Sequence, residues 1–449
     1  MSQPTMTQPK QIRLAINLLA AGRHDASWKT LDDPAGLSTD IDVFVEIAKT
    51  AERGLLDGIF LADNYAGLAG ESFKRPFRAL SPGVLLAALA AHTSRIGLVL
   101  TAPALYGNPA TLAREIASLD IVSKGRGAWN IITSQHEHSL RLLGAGAELP
   151  RSAKYDKADE FVTVVTQLWE SLPPSAIVAD AANSTYVDAG RLRPVEFQGD
   201  YYQAAGVLGV IGGYQGQRPV LLQAGASESS KQFGSKWADA LFTSHWAKPS
   251  AQEFYRDVKQ YAAEKWHRDP AGLLVVPGVY PVLGATEAEA RQRKADLDDQ
   301  LDLEHLKGRL AALLGVDAAA LDLARELPYD KIAPSDPASS AGHVQRDRVV
   351  ASARERGVTT RQVLLEYITG GHRIVIGTPE QVASDLIDWT DTGACDGFNF
   401  NVDRYTDGLE HLVDWLVPEL QGRGRFRTEY ESTTFRGNLG LPAPVGAAA

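Results

Sequence analysis

Gly225-Ala226-Ser227 stands between an apolar run, Pro219 to Ala224, and a helix-like segment, Glu228 to Lys236. A helix start presents unpaired backbone N–H groups, and with a hydroxyl beside them it can hold an oxyanion such as a phosphate. The same serine can equally be a simple N-cap, and these residues alone leave both readings open. Asn130 lies in a second apolar run, Gly127 to Thr133, that reads as a strand ending before Ser134. Strand alternation puts Asn130, Ile132 and Ser134 on one face and Trp129, Ile131 and Thr133 on the other. Asn130 can then line an interior, or be a buried amide satisfied by neighbouring backbone. Asp63 and Thr101 each end a further run, where a polar side chain can serve a ligand or simply cap a strand. His136 and His138 follow Ser134 and can donate protons or touch a substrate, but two histidines at that spacing make no metal site without a third ligand. Lys74, Arg75 and Arg78 form a basic cluster that suits either an anionic substrate or a solvated charged face.

These residues need elements to hold them. Arg13–Leu19, Asp57–Asp63, Ile96–Thr101, Gly127–Thr133, Pro219–Ala224, Ala240–Thr243, Leu273–Leu283 and Gly397–Val402 read as strands. Helical patterns alternate with them at about 41–53, 81–92, 110–122, 154–170, 228–236, 251–264, 287–302 and 379–390, with a closing helix containing His411 to Val417. Asp40 or Thr39 suits an N-cap, Pro82 suits a first helical position, and Gly377-Thr378-Pro379 starts another helix. Two stretches break the rhythm, 173–217, with a hairpin near Val195 to Tyr202, and 303–374, whose middle at 336–342 is small and polar. Eight strand and helix units predict an α/β fold, a closed (β/α)8 TIM barrel with insertions. A doubly wound open sheet is the runner-up, and no Gly-x-Gly-x-x-Gly follows the first strand to support it. In a barrel the chemistry gathers at the C-terminal strand ends, which singles out Asp63, Thr101, Ser134, Gly225 with Ser227, and Asn401.

The chain has 449 residues, 44% of them hydrophobic and 22% charged, as in an ordinary globular protein. Its net charge of −10 argues against nonspecific nucleic-acid binding. Cys395 is the one cysteine, so neither a disulfide framework nor a cysteine-based zinc site is possible. No apolar run reaches the ~20 residues needed to span a bilayer, and Met1 to Gln11 lacks the apolar core of a secretory signal; a cytoplasmic protein without a membrane partner is the expectation. No catalytic triad signature, phosphate-binding Walker loop or His-Glu-x-x-His is present.

Several segments carry a family resemblance. They are Phe60-Leu61-Ala62-Asp63; the run Leu112 to Asp120 with Ser123-Lys124-Gly125-Arg126 and Trp129-Asn130-Ile131-Ile132-Thr133-Ser134; Tyr155-Asp156-Lys157-Ala158-Asp159-Glu160-Phe161; and Gln223-Ala224-Gly225-Ala226-Ser227. Gly377 to Ala383, Asp396-Gly397-Phe398-Asn399 and Phe426 to Tyr430 extend the match almost to the end. In order and spacing the chain resembles the bacterial-luciferase superfamily of flavin-dependent monooxygenases, in the branch of the nitrilotriacetate, EDTA and dibenzothiophene-sulfone enzymes.

The resemblance implies a luciferase-like barrel domain over residues 1–449, with a C-terminal extension from about 420. It implies reduced FMN (FMNH2) supplied by a separate NAD(P)H:flavin reductase. Reaction with O2 through a flavin C4a-peroxide would oxidise a small nitrogen- or sulfur-containing compound, with C–N or C–S cleavage as one outcome. Cofactor contacts carry over to Asp63, Thr101, Asn130, Ser134, Tyr155, Gly225, Ala226 and Ser227. Arg151 stands where many relatives have a histidine, and its guanidinium suits a phosphate as well. Trp28 and His138 fall on the substrate side, with no catalytic residue assigned. Ala226, where relatives often have serine, and Leu142, where they often have asparagine, are departures. A homo-oligomer is expected by resemblance. Two alternatives remain at this point: an F420-dependent oxidoreductase of the same superfamily, which Tyr155 and Trp129-Asn130 disfavour, and a non-catalytic flavin-binding protein.

Overall fold

Each apolar run is too short to bury itself and needs a neighbour on both edges. In the computed structural model, which describes residues 10–63, 74, 76, 80–133, 137–143, 149–333, 343–367 and 371–444, eight parallel strands meet that need by closing into a ring. They are β1 (Arg13–Asn17), β2 (Gly58–Leu61), β3 (Gly97–Pro103), β4 (Gly127–Ile132), β5 (Val220–Ala224), β6 (Ala240–Thr243), β7 (Leu274–Leu283) and β8 (Gly397–Phe400). Closure is visible in the register: Ala15 of β1 pairs with Gly58 of β2, and Arg13 pairs with Gly397 of β8. The expected (β/α)8 barrel is therefore the observed one, and the open sheet is not.

Helices α1 (Ile41–Arg53), α2 (Pro82–His92), α3 (Pro109–Val122), α4 (Arg151–Glu170), α5 (Glu228–Trp237), α6 (Lys248–Gln260), α7 (Glu287–Asp298) and α8 (Pro379–Asp391) pack outside the strands. Local signals start them. Asp40 caps α1 by accepting from the Asp42 amide, and Thr378 and Gln381 form a reciprocal capping box at α8. The outer core joins helix faces such as Phe44, Ile47 and Ala48 to outward strand residues such as Leu14, Ile16 and Phe398.

The inside of the barrel is filled at its N-terminal end by Phe60, Val99, Leu222 and Ala240, with Phe435 and Leu439 from the C-terminal segment inserted among them. A Cβ at Gly97 would lie 2.3 Å from the Phe435 ring, so the start of β3 must be glycine for the plug to enter. Buried ion pairs fix this segment: Arg427 with Asp57, and Arg436 with Asp239 at 2.8 Å.

The two breaks in the rhythm are more structured than anticipated. The first holds two hairpins, Ile177–Asp180 with Thr185–Val187 and Val195–Gln198 with Gln203–Gly206, where one was expected. The expected helix over 287–302 stops at Asp298, because Asp302 turns to cap a new helix, Leu303–Leu314, through the His305 amide at 3.1 Å. With His343–Arg356 and Thr360–Tyr367 that helix builds a second apolar cluster around Leu306, Leu310, Val349 and Leu364. An extra strand, Arg373–Gly377, then pairs with the C-terminal half of β7. The closing helix is broken: Gly408–His411, a wide turn over Leu412–Leu416, then Val417–Gly422. Residues 336–342 lie outside the described part.

Candidate functional site at the barrel mouth

Toward their C-terminal ends the strands turn polar side chains inward. Thr101 of β3 and Asn130 of β4 are paired in register, and the Asn130 Nδ2 donates to Thr101 Oγ1 at 3.0 Å. Trp129 faces the other way, donating to the Ala102 carbonyl and packing on Phe161 and Trp169. Across the barrel the Asn17 Nδ2 donates to Asn401 Oδ1 at 3.0 Å, and Asn401 is fully buried. The Oδ1 atoms of Asn17, Asn130 and Asn399 are buried with no hydrogen-bond partner. An unmet buried acceptor costs about 1–3 kcal/mol, so a donor from a bound water or a ligand at these three atoms would be stabilising. Asp63 sits half-buried two residues beyond β2.

Next to this mouth, β5 ends at Ala224 and the chain turns through Gly225 with φ +151°. A Cβ there would lie 2.2 Å from Ser230 Oγ. Gln223 Nε2 locks the turn by donating to the Ala224 carbonyl at 2.7 Å and to Ser230 Oγ at 2.8 Å. Ser227 is the N-cap of α5, accepting from the Ser230 amide at 3.3 Å. The simple-cap reading is thus satisfied, and it leaves the Ser227 hydroxyl proton for another acceptor. Ala226 packs against the apolar cluster of Leu241 and Phe254, which suits a methyl group in place of a hydroxyl. The Tyr155 ring, in the first turns of α4, contacts Phe233 of α5 at a centroid distance of 5.6 Å, so α4 begins alongside the helix that Ser227 caps. Arg151 opens α4, but its side chain lies outside the described part. Glu228 beside Ser227 is drawn down to about 2: burial pushes it up, and hydrogen bonds from Gln232, Tyr261 and Lys231 outweigh that push. Lys231 lies 3.0 Å from it, so this carboxylate does not leave the helix end negative.

The loop after β8 is fastened to α7, and the loop after β1 to α7 and to helix Leu303–Leu314, by polar pairs that sequence reading did not single out. His24 Nε2 lies 3.1 Å from Asp298, and Asp25 lies 2.6 Å from Arg309. Arg293 holds Asp403 at 2.5 Å and Asp407 at 2.7 Å. In the short helix Ser27–Thr30 of the first loop, Trp28 is half-buried, and its Nε1 is a buried donor without a partner. Asn17 and Asn399 were also missed; the available signal was a polar residue at an inward position of an otherwise apolar strand.

Other sequence candidates resolve differently. Lys74 pairs with Asp302 at 2.8 Å, which favours the charged-face reading for that residue, while Arg75 and Arg78 lie outside the described part. Ser134 and His136 also lie outside it. His138 falls in the short helix Glu137–Leu142, its side chain not described, and Leu142 is 62% exposed. Cys395 is fully buried, its thiol pushed up to about 12 by burial, which fits a packing role. Among the described residues no cluster of three metal-ligating side chains occurs, and no helix is long and apolar enough to cross a membrane.

Residues 18–395 match the family of luciferase-like monooxygenases. The chain is 38% identical over 445 residues to N-acetyl-S-(2-succino)cysteine monooxygenase of Bacillus subtilis (strain 168), covering 98% of both chains. It is 34% identical over 454 residues to nitrilotriacetate monooxygenase component A of Aminobacter aminovorans, again covering 98% of both. Among solved structures, a riboflavin lyase crystallised with modified FMN and riboflavin superimposes with a TM-score of 0.82 at 27% identity, over 97% of both chains. This chain belongs to the luciferase-like monooxygenase family and is a flavin-dependent monooxygenase.

Proposed function

We propose that this enzyme takes reduced FMN from a separate NAD(P)H:flavin reductase and uses it with O2 to oxidise a small organic amine or thioether. The observation that carries this reading is the barrel mouth itself, where a glycine-built helix start and Tyr155 flank a set of buried polar atoms without partners. The residues fit the group. Backbone amides at Ala226 and Ser227, the Ser227 hydroxyl, the Tyr155 hydroxyl and Arg151 would hold the phosphate; Gly225, whose own amide donates to the Phe242 carbonyl at 3.1 Å, would shape the turn that presents them. Asp63, Thr101, Asn130 and Ser134 would meet the polar edge of the ring, Asn130 through its unpartnered Oδ1. Trp28 and His138 belong to the substrate side.

Bound reduced FMN supplies two electrons and activates O2; one oxygen atom enters the substrate and the other leaves as water. The protein binds, orients and excludes water. Two relatives act, by their names, on a compound with a C–S bond and on one with C–N bonds. Hydroxylation of the carbon beside such a heteroatom gives a carbinol that collapses to a carbonyl, releasing the free thiol or amine. The term "component A" in one relative's name supports a partner reductase. A homo-oligomer is part of the same proposal.

The test is anaerobic titration of the purified protein with FMN and FMNH2, then mixing with air in a stopped-flow spectrometer. Tighter binding of FMNH2 and an oxygen-dependent absorbance transient are expected. Failure to bind either form would redirect the reading to F420, and binding with no oxygen response to a non-catalytic flavoprotein. Tyr155→Phe removes one hydroxyl and keeps the ring against Phe233; it should weaken FMNH2 binding about tenfold, the size of one hydrogen bond to a charged group, with the melting temperature unchanged. An unaltered Kd would take Tyr155 out of the cofactor site.

A further inference from the structure

Beside the barrel mouth lies a cavity of about 700 Å3, between helices His343–Arg356 and Thr360–Tyr367 on one side and the extra strand Arg373–Gly377 with the loop after β6 on the other. That volume suits a small organic molecule. Part of its wall is apolar, from Trp246, Leu365 and Ile374. Two arginines supply its charge. The half-buried Arg348 guanidinium donates to the Ser244 carbonyl. Burial lowers its pKa, and no acidic neighbour offsets that; among the described residues no carboxylate pairs with it. Arg373 gives one nitrogen to Asp385 at 2.5 Å and stacks on Trp389 at 4.0 Å, but its Nη2 is buried without a partner.

The other cations around the cavity are already compensated, Lys294 by Asp298 at 2.6 Å and Arg356 by Glu366. His245, after β6, and His372 are lowered to about 3, by burial first and then by Arg348 and Arg23 respectively, so neither adds charge at neutral pH. Glu355 and Glu366 also line the cavity, Glu366 in its pair with Arg356, so the cation there without a carboxylate partner among the described residues is Arg348, and a half-buried guanidinium is costly unless an anion completes it. Its wall also reaches the barrel interior. The His372 ring contacts Phe242 of β6 at 5.5 Å and lies against Gly278 of β7, where a Cβ would be 2.2 Å from the ring.

We propose that this cavity receives a carboxylate carried on an apolar body, with Arg348 as its specificity-determining cation, and that this carboxylate is the remote end of the substrate. The substrate part of the proposal rests on reading the barrel mouth as the flavin site. The test uses isothermal calorimetry on the flavin-free full chain with two matched pairs, 3-phenylpropanoate against 3-phenylpropanamide and hexanoate against hexanamide. In each pair the shape is kept and the charge is removed. The wild-type protein should bind at least one acid about tenfold or more tighter than its amide. Arg348→Met should erase that preference, Arg348→Lys should keep part of it, and FMN affinity should not change in Arg348→Met. Equal or absent binding of acids and amides by the wild-type protein overturns the proposal, as does a preference that survives Arg348→Met. Should Arg348→Met fail to fold by circular dichroism, the wild-type comparison alone decides. If the preference holds but the wild-type protein binds no FMN, the flavin reading has failed and the anion site stands without it.

Discussion

Replacing Gly225 by alanine is expected to weaken FMNH2 binding by about a hundredfold, the equivalent of losing one or two charge-assisted hydrogen bonds. The change adds only a methyl group, but two constraints meet there. The residue sits at φ +151°, a region that L side chains rarely enter. The new Cβ would also fall 2.2 Å from Ser230 Oγ and 3.0 Å from Ser230 Cβ. Ser230 cannot simply rotate away, because Gln223 Nε2 holds its hydroxyl at 2.8 Å and its amide is tied to the Ser227 cap. The turn must therefore move, carrying with it the amides of Ala226 and Ser227 that would point at a phosphate. The chain should still fold, with a cost limited to the strain of the turn, about 1–3 kcal/mol. The measurement is an anaerobic FMNH2 titration beside a thermal melt. A variant that melts normally and binds FMNH2 like the wild type would place the phosphate elsewhere. Ser230→Ala in the same background should recover part of the affinity, since it removes the atom the methyl group meets.

How much of this site could be read from sequence depends on the range of the interaction concerned. Strand alternation is local, so the inward position of Asn130 and the outward position of Trp129 were legible and are what the structure shows. Helix starts are local too, and Thr378-Pro379 with Gln381 three residues after the cap gives the capping box found at α8. The Arg293 pairs with Asp403 and Asp407 join residues 110 and 114 positions apart. No spacing rule reaches across that distance, so the clamp that sets the loop after β8 was invisible. The strand Arg373–Gly377 was missed for another reason. Its pairing depends on β7 running ten residues where β6 runs four, and only the finished barrel shows that the excess length has an open edge. The 303–374 insertion is the least legible part, because its helices pack through their own cluster rather than along the repeating strand and helix rhythm.

Arg427→Met is the substitution expected to cost the most stability, about 3–5 kcal/mol, as when one partner of a buried ion pair is removed. Arg427 and Asp57 are almost wholly buried, and the guanidinium also donates to the Asn438 carbonyl at 2.8 Å. Asp57 is a junction as well: its other oxygen accepts from the Leu14 amide of β1 at 2.6 Å, and its carbonyl accepts from the Gly97 amide of β3 at 2.9 Å. Removing the guanidinium leaves a buried carboxylate between three strands without its hydrogen-bonded partner and with Arg13 as the remaining nearby cation, and it frees the segment that carries Phe435 into the barrel. Both effects act at the N-terminal end of the barrel, opposite the polar mouth. Urea unfolding should therefore show a lower midpoint in Arg427→Met, while the folded fraction binds FMNH2 with the wild-type Kd. Adding Asp57→Asn removes the stranded charge yet keeps an acceptor for the Leu14 amide, so the double variant should be more stable than Arg427→Met alone. If the double variant were less stable still, the loss would come from freeing the C-terminal plug rather than from the charge; if Arg427→Met cost less than about 1 kcal/mol, Arg13 alone would be compensating Asp57 and the Arg427 pair would not be what holds the plug.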